Sequence, residues 1–245
     1  MRNLKRVLDW LRWEDIEVVD GLDDDPESHA RLATLPYWVG RSPIIYMPTS
    51  LLVMQGGFRF DEHHPFVRAI NGGRAELAAF YAGFQPRNIA QMYRLPQGEV
   101  GAGLAPWELP WLLRRRRPSR GEKGLGREHG TSYYGPCTDA KIDLEARRLA
   151  GIVESVRTRG YRQRSPHAHI AGHLMQSGDR VRFFVRGGKH RAAALAALGF
   201  EHVPVRMRDT WPRVVSRDHA SHWPLVSGGE MGASLARDMF DRYFE

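Results

Sequence analysis

The chain has 245 residues, 42% hydrophobic and 26% charged, a globular composition with room for one large domain or two small ones. Its formal net charge of +8 predicts attraction to nucleotides, phosphosugars, nucleic acid or acidic membrane surfaces. The single cysteine, Cys137, excludes an intrachain disulfide and a cysteine-rich zinc site, and no apolar run is long enough to span a bilayer.

Leu4, Val7, Leu8 and Leu11 share a face and predict an amphipathic helix over 4–13. The first residues are basic, but Asp9, Arg12, Glu14 and Asp15 interrupt them, unlike the unbroken apolar core of a secretory signal. A cytoplasmic location is therefore expected. A short strand is predicted over 16–19, then an acidic turn at Asp23-Asp24-Asp25-Pro26. Three adjacent carboxylates suit a hard cation, yet no second ligand cluster follows, and a solvated turn accounts for them. Residues 44–47 and 51–54 read as strands closed by Gly56-Gly57. Asp61, Glu62, His63 and His64 precede a helix and offer metal or acid–base atoms. Adjacent residues do not share a helix face, so they do not converge as a simple chelate. Residues 74–83 predict a helix ending at Gly83.

Trp107 and Trp111 lie in a proline-rich stretch directly before a basic block of Arg114, Arg115, Arg116, Arg117, Arg120, Lys123 and Arg127. The tryptophans suit a packed seam; base stacking and a lipid interface are the other readings. The block, rich in Gly, Pro and Ser, reads as a flexible loop over 114–130. Its roles stay open between a solvated loop, a nucleic-acid arm, a membrane contact and an arm over a phosphorylated substrate.

The second half predicts a helix over 144–159 stopped by Gly160, strands over 167–174 and 181–185, and a turn at 176–179 between them. A helix over 189–198 and a strand over 203–207 follow. Residues 231–244 form a last helix, with Leu235, Met239, Phe240 and Phe244 on the side expected to pack on the core.

The most informative segment joins the strand at Phe183 to Val185 to the helix after it, through Arg186-Gly187-Gly188-Lys189-His190-Arg191. Two glycines allow a sharp turn. Lys189, His190 and Arg191 then fall in the first helical turn, where unpaired amides and the macrodipole are already positive. A phosphate seated in the turn would resolve that conflict.

Gly187-Gly188-Lys189-His190-Arg191, the Ala-rich helix after it, Leu198-Gly199 and Val203-Pro204-Val205 together resemble the phosphate-binding motif of the ParB/sulfiredoxin superfamily. The resemblance covers about residues 131–209. It implies an α/β (α+β) fold: a ParB/sulfiredoxin-like nucleotide-binding core with an N-terminal mixed α/β extension and a C-terminal helix. Gly187, Gly188, Lys189, His190 and Arg191 would hold ATP or CTP, with Mg2+. Lys189 stands where sulfiredoxins carry their catalytic cysteine, which disfavours redox repair, and no helix-turn-helix pattern follows Met207, which disfavours DNA partition. What the family leaves is a small-molecule kinase transferring phosphate to the hydroxyl of a sugar, nucleoside or amino-acid-like acceptor.

Such a kinase needs a carboxylate near the attacking hydroxyl. Related kinases draw it from the start of the module, where Asp139, Asp143 and Glu145 lie; His190 joins them as a catalytic candidate. Glu145 and Arg148 are three apart and suit a surface pair. Asp61 and Glu62 are reserves. His64-Pro65-Phe66-Val67, Phe84-Gln85-Pro86 and Trp223-Pro224-Leu225-Val226-Ser227-Gly228 are loosely similar to uncharacterised ParB-like proteins of bacterial polysaccharide and natural-product gene sets. The organisation implied is an acceptor-binding lid over 1–113, the basic loop, a core over 131–210 and a helical segment over 211–245. The alternative is a nucleotide-gated nucleic-acid-binding module without kinase activity.

Overall fold

A computed structural model describes residues 17–38, 43–96, 103–113, 124–162, 169–207 and 211–245. The expected helix over 4–13 and residues 114–123 of the basic block lie outside them. The protein is mixed α/β. In the described residues the strands are β1 (Val18–Val19), β2 (Ile44–Pro48), β3 (Leu52–Met54), β4 (Phe58–Arg59), β5 (Ile170–Ser177), β6 (Arg180–Gly187), β7 (His202–Met207) and β8 (Val214–Ser216). The α-helices are α1 (Pro26–Trp38), α2 (Pro65–Gly72), α3 (Arg74–Gly83), α4 (Ile89–Met92), α5 (Asp139–Arg159), α6 (Lys189–Ala197), α7 (Pro224–Ser227) and α8 (Ala233–Asp241).

All eight strands join one mixed sheet in the order β1-β2-β7-β5-β6-β3-β4, with β8 beside β5. The expected order over 139–207, helix, strand, strand, turn-helix, strand, is the order observed. Strands β1 to β4, from the 1–113 region expected to form a lid, belong to this same sheet. β2 runs antiparallel to β7, and β3 runs parallel to β6. Without them β6 and β7 would each present a row of unpaired backbone groups, so the earlier strands complete the later ones.

Alternation along β6 covers the sheet on both faces. Phe183 and Val185 belong to the larger core cluster, with side chains of α1, α2, α3, α5 and α6. Phe184, one residue apart, belongs to a second cluster with Trp111, Met175, Trp223 and the C-terminal residues Met239, Phe240 and Tyr243. The last helix therefore packs on the core, as its pattern predicts, and Trp111 packs the seam beneath it.

The acidic turn has a local structural role. Pro26 starts α1 with its fixed φ, and Asp25 Oδ1 accepts from Ser28 N at 2.8 Å while Ser28 Oγ accepts from Asp23 N at 2.9 Å. Asp24 binds His29 Nε2 at 3.0 Å and accepts from Ser50 Oγ at 2.9 Å. No group of three or more His, Cys, Asp or Glu suited to a metal ion occurs in the described residues, and no helix there is long and apolar enough to cross a membrane.

Candidate functional site

The turn after β6 is the point of interest. Gly187 ends the strand and Gly188 caps α6 in a left-handed conformation, φ 84° and ψ 17°. A Cβ at Gly188 would sit 3.0 Å from Ile170 Cα, so both the backbone conformation and the approach of β5 require glycine. Gly188→Ala is expected to cost about 1–2 kcal/mol from the left-handed conformation alone. A lowered urea midpoint measures it, and an unchanged midpoint would show that the turn relaxes freely.

The three cations after Gly188 take different paths. The sequence reading places all of them at the positive helix end facing an anion. Instead Lys189 and His190 turn inward and are buried, and Arg191 stays half-buried. Lys189 Nζ donates to Ser132 Oγ at 2.6 Å and lies 3.1 Å from the centre of the Tyr133 ring. That cation–π contact repays part of the cost of burying the ammonium. Ser132 and Tyr133 come from the loop before α5, which carries a cis Gly135-Pro136 bond.

His190 Nε2 is hydrogen-bonded to Glu145 Oε2, and its ring stacks on Phe66 at 4.9 Å. Glu145 is fully buried, which corrects the expectation of a surface group paired with Arg148. The pair does form, at 3.3 Å, but Lys141 Nζ is closer, at 2.9 Å from the same carboxylate oxygen. Burial would raise the Glu145 pKa; the hydrogen bond from His190 and the charge of Lys141 override it and hold the group down at about 2. Burial pushes His190 below its ordinary value, with Lys189 and Arg148 acting the same way against the pull of Glu145. Glu145 is thus an anion that orients a neutral imidazole.

Asp139 and Asp143 are elsewhere. Both bind Arg74 at 2.5 Å, from exposed positions on the first turns of α5. The structure does not bring them to the turn. Asp61 Oδ1 accepts from His63 N at 2.9 Å, and Glu62 is an exposed neighbour of His63. The carboxylates named as catalytic candidates are thus committed to Arg74, His63 or the buried cluster around Glu145. The donor set does not fit a protein-held magnesium ion, and no step below uses one.

Two histidines lie beside this turn: His64, expected with its neighbours to offer metal or acid–base atoms, and His169, for which the sequence suggests no role. His64 caps α2, its Nδ1 accepting from Phe66 N at 3.1 Å, with its ring stacked on Phe60 at 4.4 Å. It is fully buried; burial, then Lys189 and His190, lower its pKa to about 3. His169 precedes β5, whose Ile170 touches Gly188 and whose Ala171 is in register with Arg206. Burial, then Arg206 and Arg191, lower its pKa to about 4. No periodic signal marks either residue. In the fold His64 serves as the cap before Pro65, and His169 stands just before a strand.

Cys137 lies close enough to Lys189, Lys141 and Glu145 to feel their charges, but burial pushes its thiol up to about 11. Its Sγ donates to Thr131 O at 3.0 Å. A protonated, hydrogen-bonded thiol is a poor nucleophile. Beside the turn, Tyr133, Arg186, Gln55 and Trp107 line a cleft of about 40 Å³, which holds a few waters rather than a nucleoside.

The arrangement has one electrostatic character. It gathers positive charge: the start of α6 follows Gly188, and Arg206 and Arg191 both act on His169 beside it. Comparison with family models, with curated proteins and with solved structures finds no match to this chain.

Proposed function

We propose that the turn at 187–191 binds the phosphates of a nucleoside triphosphate, ATP or CTP, and that the protein is a kinase acting on a small-molecule hydroxyl. The observation that carries this reading is the left-handed Gly188 opening a nine-residue helix at the end of β6, with the charges of Arg191 and Arg206 both acting on His169 beside it. The resemblance of these residues to the ParB/sulfiredoxin superfamily supports the nucleotide. The inward course of Lys189 and the protonated state of Cys137 support phosphoryl transfer over redox chemistry.

In this reading the turn amides and Arg191 neutralise phosphate charge. The bond from the terminal phosphorus to its bridging oxygen breaks, a bond from that phosphorus to the acceptor oxygen forms, and the hydroxyl proton leaves to a base. Glu145, with a pKa near 2, is too weak a base and acts by positioning. His190, expected as a catalytic residue, is buried and held by Glu145 through Nε2, so it shares this positioning role and water takes the proton.

Calorimetry with ATP and with CTP, in magnesium-containing buffer, tests the reading. Parent protein should bind one of them, and Arg191→Ala should weaken binding about tenfold by removing a charge-assisted contact. An anion beside His169 raises the pKa of that group, so binding should tighten as pH falls from 7 toward 5. Failure of both nucleotides to bind sinks the proposal. Binding with no acceptor-dependent product moves the conclusion to a nucleotide-gated module.

A further inference from the structure

A cavity of about 270 Å³ lies between the start of α2, the outer side of α3 and the turn after α4, away from the 187–191 turn. Phe58, Phe80 and Phe84 wall it. Phe58 meets the other two edge-on, at 5.8 Å from Phe80 and 5.5 Å from Phe84. About 150 Å³ suffices for benzene in an apolar cavity, so a ring with a short polar substituent fits.

The lining is not only apolar. Arg94 stands with its guanidinium 4.6 Å from the Phe84 centroid and 4.8 Å from that of Phe58. Its one recorded hydrogen bond is a long one, Nη1 to Gly56 O at 3.3 Å. No carboxylate in the described residues pairs with it, and Arg242 is the charge it feels. Arg94 is also the one described non-glycine residue at positive φ, 55°. Holding arginine there costs energy, and such positions cluster where a side chain must be aimed. The remaining charges cancel: Arg68 binds Glu76 at 2.5 Å across the opening. The cavity therefore offers one uncompensated positive charge, flat aromatic walls and room for one ring.

We propose that this cavity binds a small aryl carboxylate, with its ring against the phenylalanine wall and its carboxylate on Arg94. A single cation matches a monoanion. A phosphate ester would bring a second charge with nothing to meet it, and a neutral ring would cover the partly exposed Arg94 without gain. The site is independent of the nucleotide reading.

Titration of the full-length protein with benzoate, followed by calorimetry, is the test, with benzyl alcohol as the neutral probe of the same shape. Benzoate should bind saturably and about tenfold tighter than benzyl alcohol. Arg94→Gln should bring benzoate down to the level of benzyl alcohol. Ala79, which lines the cavity from an exposed position of α3, gives a second variant whose folding is not at stake. Ala79→Phe should weaken both probes with an unchanged urea midpoint. Equal affinity for the two probes, or benzoate binding indifferent to Ala79→Phe, overturns the proposal. Competition by inorganic phosphate stronger than by a second aryl carboxylate overturns the ligand class.

Discussion

Glu145→Gln should be among the most damaging single changes in the chain, lowering stability by about 3–5 kcal/mol. The substitution keeps shape and removes one charge. What remains is Lys141, its side chain 4% exposed, with Arg148 and the His190 ring around a neutral amide. A buried ammonium that loses its anion carries the desolvation penalty without compensation, which is why breaking one partner costs more than the pair contributes. At roughly 2–4 °C per kcal/mol for a chain of this size, the melting temperature should fall visibly. Adding Lys141→Met should recover part of the loss, because the two residues share one interaction. A Glu145→Gln urea midpoint equal to the parent's would show that the carboxylate is not the centre of a buried charge cluster.

The pH dependence follows with a definite sign. Glu145 titrates near 2 in the fold, below its ordinary 4.5, so its contribution is complete above pH 4.5 and is lost as pH falls toward 2. His64 and His173, near 3, and His169, near 4, are also depressed, in each case first by burial. Their unfolded forms bind protons below about pH 6.5 while the folded forms do not, so stability begins to fall there. Glu145→Gln should flatten the stability curve between pH 4.5 and 2 and leave the decline from 6.5 in place.

Much of the second half was legible because its signals are local. Glycine punctuation at Gly160, Gly178, Gly187 and Gly188 and the β-formers of 181–185 set the element order, and Gly188 needs its positive φ just where the turn was read. The pairing of β2 with β7 and β3 with β6 was not legible, since residues more than 100 apart in sequence carry no common pattern. The site divides in the same way. The position of the turn follows from its own residues. The inward rotation of Lys189 depends on Ser132 and Tyr133, and the burial of Glu145 on α2 and α6 closing over α5. Burial decides the chemistry of a carboxylate, and burial is a tertiary property. The α1 helix escaped notice because polar Ser28 and His29 share its buried side and Pro36 lies within it; Leu32 and Leu35 carry its packing.

Trp111→Ala should cost about 3–5 kcal/mol and loosen the C-terminal segment first. Trp111 is the hub of the second core cluster. Its ring meets Trp223 at 5.4 Å, Phe240 at 5.5 Å, and Phe184 and Tyr243 at 6.0 Å, all in edge-to-face arrangements. Three of these four partners lie beyond residue 222, so one side chain joins the sheet face at Phe184 to the chain end. The contacts are dispersion and burial rather than hydrogen bonding, because the buried indole Nε1 has no partner. Trp111→Phe should therefore be much milder, losing some contact area but also removing an unsatisfied donor. Truncation to alanine leaves a void that α8 cannot fill by itself, since Tyr243 is tied to Tyr93 by a 2.7 Å hydrogen bond between their hydroxyls. Amide hydrogen exchange over 233–244 reads the effect. Protection lost there before the strands of 170–187 fits a hub that docks the end of the chain. Uniform loss across the protein would mean that the two core clusters unfold as one unit.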